Sequence, residues 1–192
     1  PHLMACEKHL MDLIADGFIG EVVNVNIRVT DGSLYPDSDT EAHWRQMREL
    51  SGNNVMTTGI WYENLMRLVG TATSVSANAQ IVVPYRRGWD GNRYPMTIPD
   101  QLDVIYSLAG GGSVNMTVTT VSGSFAPPTE IWIFGTEGTL RIEVNGLDVD
   151  PKVTGARKGD QVMSEIVVPN EKRGSWRVEE EFINAIRGIE PV

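Results

Sequence analysis

The chain has 192 residues, 41% hydrophobic and 21% charged, with a formal net charge of −9. That is one domain, 1–192, long enough to bury a core without disulfides or metals. The acidic balance excludes nucleic acid as the main partner, because phosphate neutralisation needs clustered Lys and Arg; the short pairs Arg86-Arg87 and Lys172-Arg173 read as loop charges.

Residues 3–16 carry Leu3, Cys6, Leu10, Leu13 and Ile14 at helical spacing, and Gly17 stops the pattern. The segment has no basic n-region and no cleavage site, so it is not a signal peptide. It starts at Pro1 without an initiator Met, so the expectation is a piece cut from a longer polypeptide. Cys6 is the only cysteine, which rules out an internal disulfide. Its apolar neighbours argue burial rather than catalysis, and the usage fits a reducing compartment. No apolar run is long enough to span a bilayer. The expected location is therefore cytoplasmic, with no membrane partner.

Residues 21–31 alternate, with Val23, Val25, Ile27 and Val29 on one face and Asn24, Asn26 and Arg28 on the other. Such period-two alternation marks a half-buried strand and argues against a parallel, doubly wound sheet. An acidic irregular loop, 32–50, leads to a helix. Strand patterns follow at 74–83, 101–108, 113–121, 129–135, 139–144 and 162–168. Between the first two, 84–99 reads as a long surface loop. Gly110–Gly112 and Thr136-Glu137-Gly138 read as hairpin turns, the latter with Gly138 supplying positive φ. Residues 176–187 return to helix, with Val178, Phe182 and Ile186 at four-residue spacing. Strands in a run with helices at the ends predict an α+β domain, an open and mainly antiparallel sheet with helices on one face.

The stretch SGNNVMTTGIWYENLMRLVG, 51–70, concentrates polar and aromatic groups on a predicted helix. Asn53 or Asn54 can cap it, Val55, Ile60, Leu65, Met66 and Val69 give its apolar stripe, and Gly70 ends it. Thr57, Trp61 and Asn64 fall in one stripe, whereas Tyr62 and Glu63 diverge from it by helical geometry. The residues leave two readings open. In one, the Thr57–Trp61–Asn64 stripe faces a ligand. In the other, Trp61 is core and Glu63 pairs with Arg67 at the surface. Just upstream, Glu41-Ala42-His43-Trp44-Arg45 adds a charged, aromatic approach.

Other chemistry lacks its motifs. There is no G-x-G-x-x-G, no phosphate-binding loop and no G-x-S-x-G elbow. His2, His9 and His43 form no H-x-x-x-H pair; His43 beside Asp37, Asp39 and Glu41 is a weak metal candidate against the commoner solvated acidic loop.

Four stretches in order resemble the C-terminal domain of the Gfo/Idh/MocA family, relatives of glucose–fructose oxidoreductase and inositol dehydrogenase. They are DLIADGFIGEVVNVNI, HWRQ with SGNNVMTTGIWYENLMRLVG, IFGTEGTLRI, and EEFINAIRGIEP. The resemblance implies an open-sheet α+β fold like the C-terminal domain of glyceraldehyde-3-phosphate dehydrogenase. It also implies the substrate side of a two-domain enzyme acting on a sugar, polyol or related hydroxy compound. NAD or NADP would then sit on a separate Rossmann domain, leaving this chain alone without cofactor and without activity. A homodimer or tetramer through the outer sheet face is implied as well; Met116 and Val118, or Thr117 and Thr119, would lie there depending on register.

The departures from the family pattern bear on catalysis. Thr57 stands at the family's usual Asp, Trp61 at its usual catalytic His and Asn64 at its last Asp, while Asn53 and Asn54 replace glycines. Neither Thr nor indole does acid–base work near neutral pH. Either Tyr62, Glu63 and His43 act instead, or the chain binds a ligand without turning it over. Trp44 and Arg45 match the family and would contact substrate together with Thr57, Trp61 and Asn64.

Overall fold

The computed structural model describes residues 3–30, 35–52, 57–123, 125, 127–146 and 149–191. Helix α1 (Met4–Ala15) buries Cys6 and Leu10 and ends at Asp16; Gly17 then takes φ +76°, a region open to glycine without steric cost. After it come β1 (Val22–Thr30), a 3₁₀ turn at Trp44–Gln46, α2 (Arg48–Ser51) and α3 (Thr58–Val69). Then follow β2 (Ala72–Gln80), β3 (Tyr85–Arg87), β4 (Arg93–Pro95), β5 (Gln101–Leu108), β6 (Ser113–Thr119), β7 (Thr129–Gly135) and β8 (Gly138–Val144). The chain finishes with β9 (Lys152–Arg157), β10 (Ser164–Glu165) and α4 (Val178–Ile186).

Among the described residues one sheet holds eight strands in the order β10-β9-β8-β7-β1-β6-β5-β2, and β3–β4 form a separate hairpin. Every neighbouring pair in the large sheet is antiparallel except β1–β6. The expected α+β class with a mainly antiparallel sheet is what is found. Alternation in β1 survives its one parallel partner because only one face of the sheet is packed. That face carries Val25, Ile27, Val29, Val114, Met116, Val118, Ile131, Ile133, Leu140 and Ile142, all essentially buried. Helices α1 and α3 close over it with Leu10, Trp61, Leu65 and Leu68. Each large aliphatic side chain so buried contributes about 1.5–3 kcal/mol.

Several expectations need correction. Val23 does not join the inward row: the ladder to β7 shifts between Val22 and Asn24, and Val23 turns out to solvent. Gly138 is not needed for positive φ; a Cβ there would lie 2.5 Å from the carbonyl oxygen of Phe18. The strand pattern at 162–168 shrinks to β10, and the strand before it, β9, is absent from the sequence reading. The segment 84–99 is not plain loop but holds the β3–β4 hairpin. Helix α4 forms where expected, yet buries none of its residues; Val178, Phe182 and Ile186 stay exposed. The register question resolves with Met116 and Val118 in the core and Thr117 outward. The capping expectation at Asn53 or Asn54, and Val55, lie outside the described residues. Among those residues no helix is long and apolar enough to cross a membrane.

Candidate functional site

Residues 37–46 form a strap laid along the β3–β4 hairpin. A turn at its start is closed by Asp37, whose carboxylate accepts the Asp39 N–H at 2.8 Å and whose carbonyl accepts the Thr40 hydroxyl at 2.8 Å. Glu41 then makes a parallel bridge to Arg87, with Arg87 N–H donating to Thr40 O at 3.1 Å and Ala42 N–H to Arg87 O at 2.8 Å. The strap delivers His43, Trp44 and Arg45 one to three residues later. There His43 caps the 3₁₀ turn reciprocally: its Nδ1 accepts the Arg45 N–H at 3.3 Å, and Gln46 Oε1 accepts the His43 N–H at 3.0 Å. The Arg45 guanidinium lies 4.2 Å above the Trp44 ring, and the His43 ring is 5.6 Å from it. His43 and Trp44 are exposed, Arg45 half-buried, and Arg45 Nε is buried without a hydrogen-bond partner. Ser51 Oγ donates to Arg45 O at 2.9 Å, fixing the turn to α2.

Helix α3 sends its candidate residues in different directions. Thr57 is the N-cap and adopts φ +59°, ψ +11°, the one non-glycine among the described residues with positive φ. A β-branched residue there is strained by about 1–2 kcal/mol. Trp61 is 3% exposed and belongs to the core, packed with Leu65 and Leu68. Asn64, 5% exposed, lies on the same side, and its Nδ2 finds no partner. Tyr62 leans toward the sheet edge: its ring meets Tyr106 edge-on at 5.8 Å and its Oη accepts the Ala72 N–H at 3.2 Å. Burial, with Tyr62 as a smaller contributor, pushes the Tyr106 hydroxyl above its usual pKa. Glu63 lies on the outer flank, where its Oε1 is 2.7 Å from Arg67 Nη2; Arg67 also reaches Glu7 at 3.5 Å. The hydrogen bond to Glu63, then the charge of Glu7, raise the Arg67 pKa.

The structure thus brings His43, Trp44 and Arg45 together. It places Trp61 and Asn64 beneath α3, and gives Tyr62 and Glu63 partners of their own. The turn thus gathers an indole, a guanidinium and an imidazole, an aromatic surface with hydrogen-bond donors at its edge.

Two residues escaped the sequence reading. Arg86 is not a loop charge. Its side chain is 4% exposed and its Nη2 lies 3.6 Å from Asp100 Oδ2, equally buried. The only signal was an unbroken Arg-Arg pair inside a strand-like YRR, which composition cannot tell from a solvated loop. Lys172 and Arg173 fit the loop reading better, held in exposed pairs with Asp12 and Asp150.

The outer face of the sheet is more polar than expected. Trp132 and Phe134 stack at 5.8 Å, and Arg141 sits 5.2 Å over the Trp132 ring. Burial opposes ionisation of Glu130, but hydrogen bonds from Arg141 (2.6 Å) and Trp132 (3.0 Å) outweigh it and hold the carboxyl below its usual range. The Gly110–Gly112 run joins β5 to β6 as a hairpin turn and opens no helix. No cluster of three or more His, Cys, Asp or Glu that could hold a metal occurs among those residues.

No curated protein matches the chain. Among solved structures, an NAD binding oxidoreductase from Klebsiella pneumoniae superposes with a TM-score of 0.72 at 19% identity, over 86% of this chain and 44% of its own. Levoglucosan dehydrogenase in complex with NADH and L-sorbose superposes with 0.80 at 18% identity, over 100% of this chain and 56% of its own. The transcriptional regulator Gal80p from Kluyveromyces lactis gives 0.69 at 16%, over 96% and 49%. The chain therefore spans about half the length of these relatives, and identities this low speak for the fold alone. A family model described as the GFO/IDH/MocA C-terminal domain matches residues 8–141. With most of its length matched in this way, the chain belongs to the GFO/IDH/MocA C-terminal domain family.

Proposed function

We propose that this chain is the substrate-side and dimerisation domain of an NAD- or NADP-dependent oxidoreductase acting on a sugar, polyol or related hydroxy compound. The cofactor belongs to a separate dinucleotide-binding domain, and the chain alone is inactive. The observation that carries the reading is the exposed turn presenting Arg45 over Trp44 at 4.2 Å with His43 beside it. Trp44 and Arg45 hold the substrate, while Trp61 and Asn64, buried beneath α3, seat the helix on the sheet. Of the acid–base candidates His43, Tyr62 and Glu63, His43 is exposed and stands beside Trp44 and Arg45. Its Nδ1 is engaged by the Arg45 N–H, so Nε2 is the atom left to exchange a proton. A relative whose structure holds NADH and L-sorbose supports the substrate class.

Titrating the 192-residue chain with levoglucosan, L-sorbose and myo-inositol, followed by NMR, tests the reading. Shifts confined to the Trp44 indole and its neighbours are expected; no shift at tens of millimolar sugar overturns it. Dehydrogenase activity of the parent polypeptide with NAD or NADP tests the enzyme assignment.

The second reading is a binding module that turns nothing over. It is favoured by a buried Trp61 at the family's histidine position and by a relative described as a transcriptional regulator. Sugar binding by the parent polypeptide without hydride transfer would select it.

Dimerisation uses the outer sheet face. Trp132 and Phe134 supply its apolar part, flanked by Arg28, Glu130 and Arg141, and the exposed Ile105 lies across Asn26 and Asn115 on β5. A two-fold axis lets one such face cover its copy. Light scattering should give twice 21.2 kDa or a multiple; a monomer mass at micromolar concentration overturns it.

A further inference from the structure

We propose that Arg86 is a positioning residue: its buried guanidinium fixes the strap that carries His43, Trp44 and Arg45 to the main sheet. The role of those three side chains rests on the functional reading above; the placement does not.

Asp100 is the anchor on the sheet side. Its Oδ1 accepts the Val82 N–H at 2.6 Å and its Oδ2 the Val83 N–H at 3.0 Å. Its own N–H donates to Gln80 O at 3.0 Å, and its carbonyl accepts the Thr120 N–H at 3.1 Å. The residue is thereby tied to the end of β2, the start of β5 and the end of β6 at once. Arg86 stands between this anchor and the strap. Its Nη2 faces Asp100 Oδ2 at 3.6 Å, and its Nη1 donates to Thr40 Oγ1. That hydroxyl in turn donates to Asp37 O, closing the turn that starts the strap.

The backbone bonds between Arg87 and the strap fix the strap to the hairpin but not to the sheet. The hairpin is a two-stranded element outside the large sheet, and such an element has little rigidity of its own. The Asp100 bonds to Val82 and Val83 hold the chain just before the hairpin, and the Arg86 side chain carries that hold on to the strap. A guanidinium suits the task, since its rigid fork meets two acceptors in different directions, whereas an ammonium is a single point. Stability is a poor explanation for the pair, because an apolar pair of similar volume would serve as well or better. An apolar pair could not orient Thr40.

The test uses the 192-residue chain and Arg86→Met, Thr40→Val and the double substitution. Amide exchange across residues 37–46 should rise about tenfold in either single variant, with β5 and β6 unchanged. The double variant should add nothing beyond Thr40→Val, because the Arg86–Thr40 linkage is already broken there. The Trp44 indole N–H resonance should move in both single variants, and Arg86→Lys should not restore it. Should Arg86→Met fail to fold, Arg86→Lys decides, since it keeps a cation beside Asp100 and leaves the Thr40 hydroxyl on Asp37 O. Unchanged strap exchange overturns the proposal. So does acceleration spread equally over β1, β5 and β6. A wild-type chain that binds none of the sugars overturns the functional reading and leaves this placement standing. Sugar binding with an unaltered strap in both variants does the reverse.

Discussion

The hydroxyl of Tyr62 accepts the backbone N–H of Ala72 at 3.2 Å, joining the middle of α3 to the first residue of the edge strand β2. This gives Tyr62 a structural task that is separable from catalysis. Tyr62→Phe keeps the edge-on contact with Tyr106 and removes only the acceptor. Chemical denaturation should show a loss of about 1 kcal/mol. A variant of unchanged stability but abolished dehydrogenase activity in the parent polypeptide would instead make the hydroxyl catalytic.

Glu63 offers a similar separation. It is half-exposed and paired with Arg67 four residues on, so Glu63→Gln should alter stability by only about 0.3–0.5 kcal/mol, an effect that salt screens. A large fall in turnover without a stability change would bring Glu63 into the chemistry; a matching small change in both would exclude it.

Cys6 is 1% exposed, and burial, then the nearby charges of Glu7 and Asp150, push its thiol up to about 12 from 9.0. The folded state therefore keeps its proton where the unfolded chain has lost it. Stability linked to this group is present in full below pH 9 and falls as pH rises towards 12. Unfolding measured across that window should show the decline, and Cys6→Ala should flatten it despite a lower baseline. A thiol reagent should modify the native chain only as fast as the domain opens.

Thr57 is held in the left-handed region at the entrance to α3. Thr57→Gly should relieve that strain and raise the unfolding free energy by about 1 kcal/mol. A fall in stability would show that contacts of the threonine side chain outweigh the strain.

Much of the fold was legible because one-sided packing writes itself into period two. Val25, Ile27 and Val29 announce β1, and Leu140, Ile142 and Val144 announce β8. Val23 misled because a ladder irregularity leaves no mark in the alternation. Strand β9 was missed because Gly155 interrupts a short run; its lack of a side chain makes room for Ile166 and Leu140 from the segments on either side. The motif stretch around His43 and Trp61 could be located, but its division could not be read. Whether an indole at a helix position points into the core or out to a ligand depends on the neighbouring elements, not on the helix's own residues. Arg86 shows the same limit: its partner Asp100 lies beyond a hairpin, and nothing local distinguishes a buried cation from a solvated one.

The position of β1 has a consequence for how the chain acquires its shape. This strand is an early element in sequence and a central one in space, flanked by β6 and β7. Asn24 meets Ser113 across a separation of 89 residues, so β1 waits for that much more chain to be made before it has a partner. Such distant pairings slow the search, because the entropy of closing the intervening chain is lost before any contact forms. The hairpins β5–β6 and β7–β8 can assemble locally, leaving a slot for one strand between them. A newly made chain should therefore hold its Val-rich β1 uncovered for longest, and that segment is where a nascent molecule is most open to a chaperone.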